Sequence, residues 1–543
     1  MSNESLSAYE SGTATLAPEV APHRVLAPAV ASRRHPAAPR GRGDWFEWAV
    51  IAAFAAVSMW CVALNLFYAA QHGLVWTGID GQYPVDQMQY LAWIRDASQH
   101  VLVSDLFVLR PTPHDYLQPM IALSGGLVTL GMAPWLALLL WKPVAVIVVC
   151  LAVRAYCRRM VEGRFARGAA LALALFAAGY GVIGDEWLPY MSWGYPFGLI
   201  GLAAMLGALL CYDRARREGR VSLWAPPLAL LAAWVHPWQG EILIFVVVTV
   251  ELAEAVAQGW WKEWRRFLSP ALTIAAAAAP LLYYALLAAF DFEWRMGHAA
   301  TAHPFPIGRI FLSLAPLLLG AALAYRSRPR GFLETATRVW PLAVLAVWGL
   351  NETPFGATPL HAWTGITVPL AILAVQGVQG LKLSRQPAAR YLAAICVAAL
   401  TIPGTWYVMA FAHYWTAPST HAQRQNLITH SEQRALSYLA HSPVRGGVLT
   451  AFYLGAAVPG ETGRRTFVGD NRWSQPDPTA RANAAWDLLH GWLHGAKARA
   501  FVMSTGARFI LQDCRSHADL TRSLGPLIES VHRFGCAGVY EVG

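Results

Sequence analysis

Apolar runs of membrane-crossing length, separated by short arginine-rich loops, recur from residue 46 to residue 412 and constrain this chain more than any other feature. Ala169–Ala178, Phe245–Val250 and Ala271–Leu287 are centres of such runs. A helix of about 20 apolar residues crosses the ~30 Å hydrocarbon layer and satisfies its own backbone hydrogen bonds while doing so. A membrane barrel would instead show alternating segments of about ten residues, and no such alternation is present. Only 14% of the residues are charged, against roughly 25% in soluble domains. We read eleven spans, at about 46–70, 134–156, 168–183, 195–212, 223–235, 241–257, 270–290, 307–325, 339–350, 365–381 and 391–412.

The net charge of +10 is a topology signal rather than a nucleic-acid footprint. Nineteen Lys and Arg fall in five alternate loops, counting Arg154 at the end of the span before the first of them, while the loops between hold only Arg95, Arg110 and Arg295. Positive loops stay in the cytoplasm. The N-terminus is therefore expected in the cytoplasm and everything after residue 412 outside, in a multi-pass protein of the cell (inner) membrane. Segment 117–133 is apolar but carries Pro119, Gly125, Gly126 and Gly131. A span there would put every later basic loop on the wrong side, so we read it as interfacial or re-entrant.

Three regions follow. Residues 1–43, rich in Ala, Pro, Ser and Arg, read as a disordered cytoplasmic tail. Residues 44–412 form the transmembrane domain. Residues 413–543 read as a small extracytoplasmic α/β domain with a largely parallel sheet. Its strands are expected near 447–451, 465–469, 508–512 and 538–542, and its helices over 432–441, 480–494 and 520–534. The fold class is thus a mostly α-helical polytopic membrane protein with a small extracytoplasmic α/β C-terminal domain. Of seven cysteines, Cys514 and Cys536 fall in the outer domain, where the compartment permits a disulfide; the sequence leaves bonded and free states equally open. No Cys/His cluster has zinc-site spacing, so no metal site is assigned.

Acidic residues gather in the loops expected outside: Asp80, Asp86, Asp96, Asp105 and Asp115, then Asp185 and Glu186, then Asp291 and Glu293. Most such carboxylates are ordinary solvated loop residues. Asp86 differs in its setting, because it opens the amphipathic stretch DQMQYLAWIRDAS just after Pro84. An Asp there suits the positive end of a helix. Met88, Leu91 and Ile94, with Trp93 nearby, supply an apolar side that can lie on the membrane surface. Lys142 stands within an apolar run, where an ionisable group is a functional candidate unless it snorkels or pairs with a carboxylate. Arg295 is placed to meet an anion or to pair with Asp291 or Glu293. His236 and Trp238, and likewise His361, are polar or aromatic groups at loop turns that suit a sugar as well as a membrane interface. Asp470 and Trp473, in GDNRWSQPD, follow a predicted strand and serve equally as a ligand loop or as plain turn chemistry.

One span, an outer loop opening on an acidic residue, a surface helix and a re-entrant stretch together resemble the GT-C class of membrane glycosyltransferases. The second acidic site of that class matches Asp185-Glu186 in GDEWLPYMSWGYP. The resemblance covers the topology of residues 45–412. It implies transfer of a sugar from a polyprenyl-phosphate donor to an extracytoplasmic glycan, lipid or protein acceptor. By that analogy Asp86 is the general base, and Asp185 and Glu186 orient the acceptor or help hold a divalent cation. Arg295 and Lys142 meet the donor phosphate, and Trp93, His236, Trp238, His361, Asp470 and Trp473 contact acceptor or sugar. The sequence departs from the pattern at Gln87, where an acidic partner is common; Asp80 is the residue that would compensate. The Trp-Trp-Asp motif of oligosaccharyltransferases is absent. Two other readings compete: a transporter or lipid-linked flippase, and a non-catalytic envelope-assembly protein. Membrane lipids are partners under every reading, and nucleic acid under none.

Overall fold

The computed structural model describes residues 45–543 apart from 81, 83, 182–183, 260–263, 301–306, 354–355, 382–385 and 419–424. The reading of 1–43 as a tail lies outside the described residues. Asp44–Gly543 forms one compact unit.

Among the described residues seven helices are long and apolar enough to cross a membrane: Trp45–His72, Pro134–Met160, Pro196–Arg217, Arg266–Phe290, Ile307–Ala324, Pro359–Gln379 and Ala388–Thr416. The other four expected spans are also helical. Arg164–Phe176 and Ala225–Val235 are short, while Pro237–Gln258 and Phe332–Asn351 carry charges. The protein is a multi-pass membrane protein. Its helices differ in what they face. Pro196–Arg217 is buried nearly all round, whereas Ala388–Thr416 is mostly exposed. Tyr391, Leu392, Ile395, Ile402 and Trp406 on that last helix present bare apolar surface, which is stable against lipid and not against water. Pro119–Thr129 has 11 residues, a length of roughly 16 Å. That is about half a bilayer core, in keeping with a segment that does not cross.

Small residues let two helices pack closely. A Cβ on Gly377 would stand 2.4 Å from the Gly320 carbonyl oxygen, and one on Gly320 would stand 2.8 Å from the Ala374 Cβ. Without these glycines Ile307–Ala324 and Thr367–Gln379 could not approach so closely, and packing of this kind replaces the absent hydrophobic drive within lipid. At one face the helix ends are tied by buried carboxylates. Glu47 accepts from Arg154 and Arg158, each at 2.8 Å, and Arg216 donates to Glu251 at 2.8 Å.

The C-terminal region carries a four-stranded sheet ordered Val448–Thr450, Phe509–Gln512, Ala537–Val542, Ile528–Phe534. Only the first pair is parallel, so the expected largely parallel sheet is corrected to a mixed one. The cause lies at 520–534, read as a helix from its apolar spacing. Only Leu520–Leu524 is α-helical, and Ile528–Phe534 is a strand whose residues alternate between half-buried and exposed and which turns at Gly535 into a hairpin with Ala537–Val542. The expected strand at 465–469 reduces to a single bridge between Thr466 and Val448. Cys514 and Cys536 form a disulfide that fastens the end of Phe509–Gln512 to this hairpin.

This domain is docked on the first loop and the helix within it. Leu427–Ile428 pairs antiparallel with Val75–Trp76 from the first loop. Arg465 donates to the carbonyls of Asp105 at 2.6 Å and Arg110 at 2.9 Å. The helix Phe452–Thr462 packs along Pro84–Ala97, with room made by Gly460, where a Cβ would stand 2.9 Å from that of Leu91.

Candidate active site

Pro84 starts the helix Pro84–Ala97 and Asp86 stands in its first turn, at the positive end of the helix dipole. Spacings of four and three residues put Asp86, Tyr90 and Trp93 on one face. Met88, Leu91 and Ile94 are buried in protein, which corrects the expectation that they rest on the membrane surface. The C-terminal helix Phe452–Thr462 packs over Leu91, and Pro119–Thr129 and Pro134–Leu139 pack against the same helix.

The Asp86 carboxylate accepts a hydrogen bond at Oδ2 from the Tyr195 hydroxyl. Its Oδ1 lies 3.7 Å from Nη1 of Arg472. Tyr195 is fixed where Pro196 opens the long buried helix Pro196–Arg217. Its ring stands 5.5 Å, centroid to centroid, from that of His361. His361 Nδ1 is bonded to Asp185 Oδ2, and the His361 ring packs 4.4 Å from Trp238 and 5.4 Å from His236. Asp86, Asp185, His361, His236 and Trp238, drawn from four separate segments, thus share one neighbourhood. Glu186 is fully buried beside Asp185.

The opposite wall comes from the C-terminal domain. Asp470 Oδ1 accepts from the backbone N–H of Arg472 at 2.7 Å and of Trp473 at 3.1 Å. Ser474 Oγ accepts from Gly469 and Asp470 N–H. This is turn chemistry, and the turn it makes aims Arg472 at Asp86. Trp473 meets Trp93 at 5.4 Å and Trp294 at 4.9 Å, and Tyr116 closes the group 4.5 Å from Trp294. These rings make an aromatic wall continuous with the Asp86 face of the helix.

No family model matches this chain, and neither does any curated protein. Solved structures do. The oligosaccharyltransferase of Archaeoglobus fulgidus in its apo form superposes with a TM-score of 0.52 at 13% identity, over 92% of this chain and 75% of that one. ArnT from Cupriavidus metallidurans, bound to undecaprenyl phosphate, gives a TM-score of 0.51 at 13% identity, over 92% of this chain and 98% of that one. The fold is that of the GT-C glycosyltransferases. The GT-C architecture therefore extends through the C-terminal domain and is not confined to the helices.

Two residues assigned to the donor phosphate are placed differently within the GT-C frame. Arg295 is exposed, with its guanidinium 5.7 Å from the centroid of Phe292, and Glu293 is instead held by Arg110 at 2.6 and 2.8 Å. Lys142 is buried and donates to Asp80 Oδ2 and to the Ser192 carbonyl at 2.6 Å each, and to the Ser58 carbonyl at 3.4 Å. Its three protons are all engaged, so it takes the carboxylate-pairing course. Asp80 is likewise committed to Lys142. Gln87 accepts from Asp80 N–H at 3.0 Å and donates to the Gln82 carbonyl at 2.5 Å; a carboxylate there would lose the second bond. The cation facing Asp86 is Arg472, which the sequence shows only as one member of a polar turn.

Burial, and next the charge of Asp86, push the Asp470 carboxyl up to about 7. A raised carboxylate destabilises the fold wherever it is ionised. This cost is absent below about pH 4 and complete above about pH 7, so stability falls as pH rises across that window. Asp470→Asn should therefore gain Tm relative to the parent between pH 4 and pH 8, measured by tryptophan fluorescence in detergent. A difference that stays flat with pH would show that Asp470 does not titrate there.

Proposed function

We propose that this protein transfers a sugar from a polyprenyl-phosphate donor to the hydroxyl of an acceptor on the face that carries the C-terminal domain. The observation that carries this reading is the Asp86–Arg472 pair. A carboxylate held by Tyr195 faces a half-buried guanidinium beside an aromatic wall, within a GT-C fold. The acceptor hydroxyl gives its proton to Asp86 as its oxygen attacks the anomeric carbon. The bond from that carbon to the phosphate oxygen breaks, and the polyprenyl phosphate leaves with its charge against Arg472. A carboxylate supplies general-base catalysis and Arg matches phosphate geometry. Trp93, Trp294 and Trp473 back the Asp86–Arg472 pair with an apolar wall, and the Asp185–His361 pair orients the acceptor. A divalent cation taken up by this site would lie on Asp185, whose Oδ1 makes no hydrogen bond among the described residues. We place the C-terminal domain outside the cell membrane. The lysine and arginine bias between loops and the Cys514–Cys536 disulfide support that orientation.

The test is reconstitution in vesicles with a panel of polyprenyl-phosphate sugars, reading release of polyprenyl phosphate. Arg472→Ala should lower kcat/KM for the donor by about 10–100-fold, as expected for a charge-assisted contact of 1.5–3 kcal/mol, with Arg472→Lys in between. Undiminished turnover in Arg472→Ala would remove the donor role. Absence of turnover with every donor would remove the function.

A further inference from the structure

We propose that Asp96, His100 and His114 hold a divalent transition-metal ion, at a site separate from the one around Asp86. Asp96 lies ten residues further along the same helix, roughly 15 Å away. Its Oδ1 is 3.0 Å from His100 Nδ1 and its Oδ2 is 3.6 Å from His114 Nε2. Among the described residues these three offer ligand atoms that all lie within 4.8 Å of one another. Zinc bonds of about 2.0–2.2 Å to imidazole nitrogen and carboxylate oxygen put tetrahedral ligand atoms roughly 3.3 Å apart, between the two measured separations.

An ordinary hydrogen bond explains His100 on Asp96, since the two are one helical turn apart. It does not explain why a second imidazole, from the far end of the loop, is turned to the other oxygen of the same carboxylate. The two rings stand only 4.1 Å apart between centroids. One carboxylate balances one positive charge, whereas two imidazoles and a carboxylate around one cation form a familiar transition-metal ligand set. The carboxylate is also held from behind. Ser104 donates to Asp96 Oδ2 from its N–H at 2.8 Å and its hydroxyl at 3.1 Å, the kind of outer support that orients a ligand. Both histidine side chains are substantially exposed, 47% and 38%, which leaves an open position for water. The nearby cation is Arg465, 3.5 Å from Ser104 Oγ; its charge opposes the metal and keeps the affinity modest. The ligands are spread over positions 96, 100 and 114, with a loop of thirteen residues between the histidines, so no compact motif marks them.

The ion would join the end of the surface helix to the return of the first loop. That loop gives Arg465 its acceptors at Asp105, Arg110 and Thr112, so a metal here braces the seat of the C-terminal domain. The test uses the full chain in detergent, freed of any affinity tag and stripped with EDTA. Zinc chloride is titrated by calorimetry and by Tm. One zinc per chain and a raised Tm are expected. His100→Ala and His114→Ala should each weaken binding at least about tenfold with unchanged Tm in EDTA, and His441→Ala should leave binding as it was. Saturable binding that survives both His100→Ala and His114→Ala, or no saturable binding at all, overturns the proposal.

Discussion

Asp86→Asn should reduce sugar transfer by about 10²–10⁴-fold, the range for loss of a positioned general base, with Tm close to that of the parent protein. The substitution is nearly isosteric, and an amide oxygen still accepts the hydrogen bond that Tyr195 gives to Asp86. What disappears is the capacity to take a proton and the negative charge 3.7 Å from Arg472. Two controls separate these losses. Tyr195→Phe removes the hydrogen bond while keeping the base, so its effect should be smaller and should fall on kcat more than on the donor KM. Asp86→Glu keeps a base but moves it by one methylene, and a displacement on the order of 1 Å can itself cost about 100-fold. The measurement is the initial rate of polyprenyl-phosphate release in vesicles at saturating donor, alongside Tm by fluorescence. Full activity in Asp86→Asn would take the base role from this residue. The Asp185–His361 pair would then be the next candidate, because there a carboxylate in the same neighbourhood is bonded to an imidazole.

The helices and the opening of the surface helix were legible in the sequence because both are local signals. Apolar length writes a span, and Pro84 with Asp86 two residues on writes a helix start. The gathering of Asp86, Asp185, His236, Trp238 and His361 was legible only through the loop topology, which puts those loops on one side without saying which side chains touch. The misread features are tertiary. Met88, Leu91 and Ile94 form the same apolar stripe whether lipid or protein covers it, and the helix that packs over Leu91, Phe452–Thr462, comes from more than 350 residues later. Ile528–Phe534 reads as helix or strand until its hairpin partner is known. Arg472 was hidden for a related reason. Its turn is set by Asp470 and Ser474 alone, and only docking of the whole domain brings its guanidinium to Asp86. Arg295 lay in the expected loop, but there Arg110 takes the neighbouring Glu293.

Lys142→Met should be the most destabilising single change near the site, costing roughly 3–5 kcal/mol without touching any reacting group. The side chains of Lys142 and Asp80 are 5% and 2% exposed and their charged atoms are 2.6 Å apart. Removing the ammonium leaves the Asp80 carboxylate without its cation in a dry interior, and it strips the Ser192 carbonyl of its 2.6 Å donor. The strain then passes along named bonds. The Asp80 N–H is held by Gln87, and Gln87 is the residue next to Asp86, so the loop that fixes the start of the surface helix is loosened. The double variant Lys142→Met/Asp80→Asn should recover most of the loss, because no buried charge then stands alone. That recovery distinguishes a structural pair from a donor-binding lysine. A phosphate-binding Lys142 would leave the double variant stable yet with a donor KM raised as far as in the single variant. With a structural pair, the double variant regains both Tm and donor KM. Measured side by side, Tm and KM of the single and double variants decide whether the charge buried in this membrane helix serves the fold or the ligand.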